Sequence, residues 1–173
     1  MFDKFGEFDS VEELNRAAAA QLKEGDLEAL KELAAENGIS DYDVQDYIDG
    51  AVDKLATPLL AAAGKLELEQ KDLKLSGILS DWVSDLVDMC SSSEEMCNSV
   101  RKKGKSLAGY IAELAEDGYA HRVNVDPRIV QLTRQIKGIV GSHGFAIGVP
   151  DKRTRRRLAE EYYLGTGEKG AAV

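Results

Sequence analysis

Side chains that start helices and residues that stop them alternate at short intervals along this chain, and that punctuation confines it to short helices rather than long ones or strands. Ser10 with Glu13 forms a capping box, after which Val11, Leu14, Ala18 and Leu22 line one helical stripe. Gly25 then ends the helix near Glu24. Asp26 caps a second helix carrying Leu27, Leu30, Leu33 and Ala34, and Asn37-Gly38 supplies its left-handed stop. Ser40 with Asp43 opens a third. Its apolar positions, Val44, Tyr47, Ile48, Ala51, Val52 and Leu55, keep helical spacing through Gly50, which predicts a helix bent or weakened at that glycine. Thr57-Pro58 resets the chain, and Pro58 suits a first helical position, so a fourth helix runs from Leu59 to about Leu66. From Leu66 to Leu75 the pattern fits no single period.

Beyond Ser76, Ile78, Leu79, Trp82, Val83, Leu86 and Cys90 fall on one broad helical face anchored by the only tryptophan. The serines at 91 to 93 end that helix. A short helix through Met96 and Val100 follows, then the basic break Arg101-Lys102-Lys103-Gly104-Lys105, then a helix through Leu107, Tyr110, Ile111 and Leu114. Asp126-Pro127 begins another. The glycines at 138, 141, 144 and 148 interleave with Ile139, Val140, Phe145, Ile147 and Val149, the mark of a turn-rich stretch or a small β-hairpin. A last helix spans Asp151 to about Leu164. The expectation is a mostly α fold: a bundle of short amphipathic helices over 1–165, with a small hairpin near the C-terminus and a fraying tail at 166–173.

Charge is sorted by position. Residues 1–100 carry 23 acids against 8 bases, and residues 101–173 carry 8 acids against 14 bases, so the two parts differ in sign, −15 and +6. That separation concerns partners more than fold. No apolar run approaches the roughly 20 residues of a membrane crossing, and the acidic N-terminus lacks the basic-then-apolar order of a secretory signal, which predicts a cytosolic protein. Cys90 and Cys97 are spaced as neither a redox pair nor a zinc half-site, so they read as buried or half-buried free thiols.

Catalytic and cofactor motifs are incomplete. Gly104-Lys105-Ser106 resembles the end of a phosphate-binding loop, but the required first glycine is Ser99 and the preceding segment is helical by pattern. Asp41, Asp43 and Asp46 suggest a calcium loop, yet its sixth and twelfth positions hold Asp46 and Val52 where glycine and glutamate are needed. Acids at a helix N-terminus account for the cluster without a metal. His121 and His143 lie in no triad pattern. These residues predict a binding protein, with no enzyme activity, cofactor or metal implied. In the last helix Lys152, Arg153, Arg155, Arg156 and Arg157 crowd together, while Leu158, Tyr162 and Tyr163 form the stripe that docks it; five cationic groups are expected on display.

Three stretches, FDSVEELNRAAAAQLKEGDLEALKELAAENGISDYDVQDYIDG, RKKGKSLAGYIAEL and EEYYLG, resemble small acidic proteins of phages and mobile elements of gut bacteria, a group that includes type II anti-CRISPR inhibitors. The resemblance implies an inhibitor that binds a type II Cas nuclease with its guide RNA inside the bacterial host cell and blocks DNA binding or cleavage. Such a nuclease holds its guide duplex in a positively charged channel. Acids predicted on polar helix faces can occupy that ground: Glu12, Glu13, Glu24, Asp26, Glu28, Glu32, Asp41, Asp43, Asp46, Asp49 and Asp53. The basic groups, Arg101, Lys102, Lys103, Lys105, Lys152, Arg153, Arg155, Arg156 and Arg157, argue against whole-protein DNA mimicry and form a second face for nucleic acid or partner. The rival reading is a DNA-binding accessory or regulatory protein that uses the basic C-terminal helix. The apolar stripes permit a monomer or a homodimer.

Overall fold

Polar side chains set most of the helix starts. Ser10, Asp26, Ser40, Thr57, Ser93, Ser106, Asp126 and Asp151 each accept a backbone N–H from the first turn of the helix that follows. Each such cap is worth about 1 kcal/mol. A computed structural model describes residues 3–140 and 144–166, and the chain is mostly helical. Helices α1 (Val11–Glu24), α2 (Leu27–Glu36) and α3 (Asp41–Ile48) lead to α4 (Pro58–Asp72), α5 (Ile78–Ser92), α6 (Glu94–Arg101) and α7 (Leu107–Ala120). Strand β1 (Val123–Val125), short helices α8 (Pro127–Leu132) and α9 (Ile136–Val140), and strand β2 (Phe145–Ile147) follow. Helix α10 (Lys152–Ala159) runs directly into a π-helical segment, Glu160–Leu164, closed by left-handed Gly165.

Two cores share one wall. Val11, Leu14, Leu30, Leu33, Val44 and Tyr47 pack together among α1, α2 and α3. Trp82, Leu86, Met96, Leu107, Tyr110 and Tyr163 form the other core, among α5, α6, α7 and the π-helical segment. Helix α4 serves both, Ala61 facing the first and Ala62 and Leu66 the second. The two-sided burial is confined to Ala61–Leu66, and past Leu66 every residue of α4 is half-buried or exposed, so no apolar period marks its last turns.

The third helix is shorter than its periodicity predicts. It ends at Ile48, and Gly50 takes a left-handed φ of 71°, so Ala51 and Val52 are exposed while Leu55 re-enters the core at 2% exposure. A glycine stop overrides apolar spacing here because φ above zero ends the helical ladder. Helix α4 in turn runs past Leu66 to Asp72. Ile78, expected in the core, is half exposed at the start of α5. The small sheet is present, antiparallel, with Val123 opposite Ile147 and Val125 opposite Phe145. Its second strand lies in the glycine-rich stretch, but its partner is the distant β1, with α8 and α9 between. Both thiols are buried and free; Cys97 donates to the Cys90 carbonyl, and burial pushes the Cys90 thiol up to about 12. His143 and all but the first residue of the predicted tail lie outside the described residues.

No helix among the described residues is long and apolar enough to cross a membrane.

Candidate functional site

The eleven acids predicted for a partner face are mostly exposed and carry little internal neutralisation, unlike Glu7, Asp9, Glu67, Glu69 and Asp85 of the same half, which are ion-paired. Of the eleven predicted acids, only Glu32 is ion-paired to a described lysine or arginine, Lys4. Asp43, Asp46 and Asp53 line one shallow cleft of about 380 Å³ with Leu55 and Leu60. Asp53 also borders a neighbouring cleft of about 510 Å³, which it shares with Glu12, Arg16, Lys54 and Glu94. Five acids, four of them from the predicted set, therefore line these adjoining clefts together with Arg16 and Lys54.

Several of the predicted acids hold the fold as well. Glu13 accepts the N–H of Asp9, the residue before the N-cap, at 3.1 Å, Asp26 caps α2, Asp43 accepts the Ser40 hydroxyl, and Asp49 accepts from Gln45. Asp49 and Asp53 lie beyond the end of α3, not on a polar helix face, because the helix stops early. Glu24 and Glu28 are exposed at either side of the α1–α2 turn, and Asp41 is exposed in the first turn of α3.

Three of the nine predicted basic groups, Arg101, Lys105 and Arg155, are turned inward, which corrects the expectation of a cationic face carrying every one of them. Arg101 is fully buried; its Nη2 donates to Asn37 Oδ1 at 3.0 Å, while Nε and Nη1 find no acceptor among the described residues. Burial lowers the affinity of this guanidinium for its proton, with the charges of Glu7 and Glu69 opposing. It sits inside because Val100 and Arg101 end α6 against α4, where the apolar stripe carries the last turn inward. Lys103 pairs with Asp9, and Lys105 donates to the Tyr162 carbonyl with its ammonium 4.7 Å from that ring. Lys105 is thus a structural tie and not a phosphate ligand, and helix α6 stands where a phosphate loop needs a strand.

Helix α10 is divided the same way. Arg155 is turned inward, donating through Nε to Asp85 Oδ2 at 3.0 Å and through Nη1 to the Pro150 carbonyl at 2.8 Å. Lys152 also reaches Asp85, at 3.2 Å, and Arg157 pairs with Glu161 at 2.7 Å. Exposed Arg153 and Arg156, with Lys152, Arg157 and Glu160, edge an open groove of about 590 Å³. Lys102 is exposed just after α6. Burial opposes ionisation of Asp85, but hydrogen bonds from Arg155 and Lys152, with their charges, outweigh it and hold the carboxyl below its ordinary value.

A carboxyl so depressed stabilises the fold above the ordinary carboxylate range and loses that contribution as pH falls through its folded value. Asp85→Asn should therefore cost about 2 kcal/mol at neutral pH, the scale of a hydrogen bond to a charged group. The difference between the wild-type and variant melts should shrink below about pH 4. Thermal melts at neutral and acid pH check both statements.

Sequence reasoning missed one grouping. Asp117, four residues before His121, lies 3.4 Å from its Nδ1 and 3.7 Å from Arg157, in a cleft of about 300 Å³ that also takes in Thr154. The spacing of four on α7 was the available signal; the arginine came from the distant α10.

Compared with known proteins, the chain matches no family model, no curated protein and no solved structure.

Proposed function

We propose that this protein is a binding inhibitor of a type II Cas nuclease, its acidic face occupying positively charged ground that would otherwise hold nucleic acid. The observation that carries the reading is the asymmetry of neutralisation. Eight of the eleven candidate acids are exposed with no ion-pair partner among the described residues, Asp43 and Asp46 being unpaired but half-buried, whereas of the nine candidate bases only Lys102, Arg153 and Arg156 are exposed without one. A charged group already held by an internal partner has less to gain from an external one, so the negative face is the one left for binding. Asp43, Asp46, Asp53 and Glu12 would lie at its centre, with Glu28 and Asp41 toward its edge.

The rival, a DNA-binding regulator, rests on the groove beside Arg153 and Arg156. Two free guanidinium groups give only a shallow salt dependence, because each neutralised phosphate contributes a slope of about −0.9. Reversing Asp43, Asp46 and Asp53 to lysine together should weaken nuclease inhibition tenfold or more, since like charges facing across an interface cost about 1.4 kcal/mol per tenfold and often several times that. Arg153→Glu with Arg156→Glu should leave inhibition nearly unchanged. The opposite pattern, measured as the inhibitor concentration that halves DNA cleavage, would favour the basic helix.

A further inference from the structure

Among the described residues from β1 to β2, 123–140 and 144–147, several aliphatic side chains stand in solvent. Leu132 is 86% exposed, Ile139 84%, Val123 71% and Ile129 58%. Val123 and Ile147 are direct cross-strand partners, so they sit side by side on one face of the sheet, and Ile147 is 52% exposed. A two-stranded sheet of three-residue strands is marginal alone and needs something against its apolar face. Single exposed aliphatics are ordinary, but several gathered on one short segment mark a contact surface. The segment is also cationic: between 122 and 149 Asp126 is the one acid, it is paired to Arg128 at 2.8 Å, and Arg122, Arg134 and Lys137 remain in excess. Aliphatic side chains offer bases nothing to stack on, so the surface suits a protein with an acidic, partly apolar face.

This chain carries such a face. On α3, Tyr42 is 75% exposed and shares its helix side with Asp46, four positions on, and exposed Asp49 follows at the helix end. Val52, 44% exposed, follows the end of that helix. We infer that the β1–β2 segment docks on the α3 acidic face of a second copy. In a two-fold dimer the contact forms twice, each copy giving its cationic segment and receiving the other's, so self-association covers the α3 acids and competes with any other partner for them.

The test is sedimentation velocity on the full chain, with zero-length carbodiimide cross-linking of lysine to carboxylate in a mixture of isotope-labelled and unlabelled copies. The expected result is a dimer at about 100 µM in low salt that weakens by tenfold or more as salt screens the contact. Cross-links should join Lys137 of one copy to Asp41, Asp46 or Asp49 of the other. Leu132→Asp with Ile139→Asp should give a monomer whose thermal melt matches the parent, because both side chains are already in water. A monomer under all these conditions, a dimer indifferent to the double substitution, or cross-links that avoid Lys137 would overturn the proposal. No nuclease enters the measurement, so its outcome is separate from that of the inhibitor reading.

Discussion

Gly64→Ala is expected to lower the melting temperature by about 6–12 °C, the equivalent of about 3 kcal/mol of overpacking at 2–4 °C per kcal/mol for a chain of this size. The direction is opposite to what local propensity predicts. In the interior of an exposed helix the same change stabilises by about 1 kcal/mol. Here a Cβ on Gly64 would stand 2.5 Å from the Asn37 carbonyl oxygen and 2.8 Å from that of Gly38. Both obstacles are backbone, so neither can turn aside as a flexible side chain would. Gly38 is itself fixed, because its left-handed φ of 72° lets the chain leave α2 and pass directly over α4. Relief requires α4 to move away from the α2–α3 link, which opens the wall shared by the two cores. Ala63→Gly, one position earlier, is the control and should cost only about 1 kcal/mol. A Gly64→Ala variant as stable as the parent in thermal melts would mean the backbones are not in this contact.

Lys65→Met should cost about 3–5 kcal/mol, the penalty for leaving buried charges without their partner. The Lys65 side chain is 1% exposed, and its ammonium donates to the Val100 carbonyl at 3.0 Å and the Lys105 carbonyl at 2.8 Å while facing Glu7 at 2.9 Å. Glu69, pushed up by burial and held in part by the Leu107 N–H, lies 3.9 Å away. Methionine fills the volume but leaves two carbonyls and two carboxylates facing a lone buried Arg101. The segment before α1 should loosen with it, since Glu7 helps pin that segment across the junction, together with Lys4 and Phe5, whose N–H groups donate to Glu36. Adding Glu7→Gln to Lys65→Met should cost less than the sum of the single changes, with a coupling of about 0.5–3 kcal/mol. Additive losses in denaturant titration would show that Lys65 and Glu7 do not act as a pair.

Helix boundaries were legible where a cap or stop acts locally. Ser10, Asp26, Ser40 and Asp151 mark starts that depend on a few neighbouring residues, and each appears where its spacing places it. Gly50 shows the limit of apolar periodicity: Ala51 and Val52 kept helical spacing, yet a left-handed glycine turned them to solvent. The sheet was half legible, since β2 announced itself by glycine and β-branched alternation while its partner β1 lay two helices upstream. Arg101 was misread for a different reason. A charge run looks like a solvated face, and only the packing of α6 on α4 determines that its first member goes inside. The acids were readable as a charged population, but their convergence at Asp53 was not, because that depends on where the chain travels between α3 and α4.

The most direct test of the binding account is DNA cleavage by a purified type II Cas nuclease with its guide RNA, with and without this protein, alongside co-elution of the two at low and high salt. The account predicts inhibition and a co-eluting complex that weakens as salt rises, as a contact made by carboxylates on a basic channel must. Undiminished cleavage and separate elution across several divergent type II nucleases, with salt-sensitive binding of the protein to DNA alone, would contradict it and place function on Arg153 and Arg156.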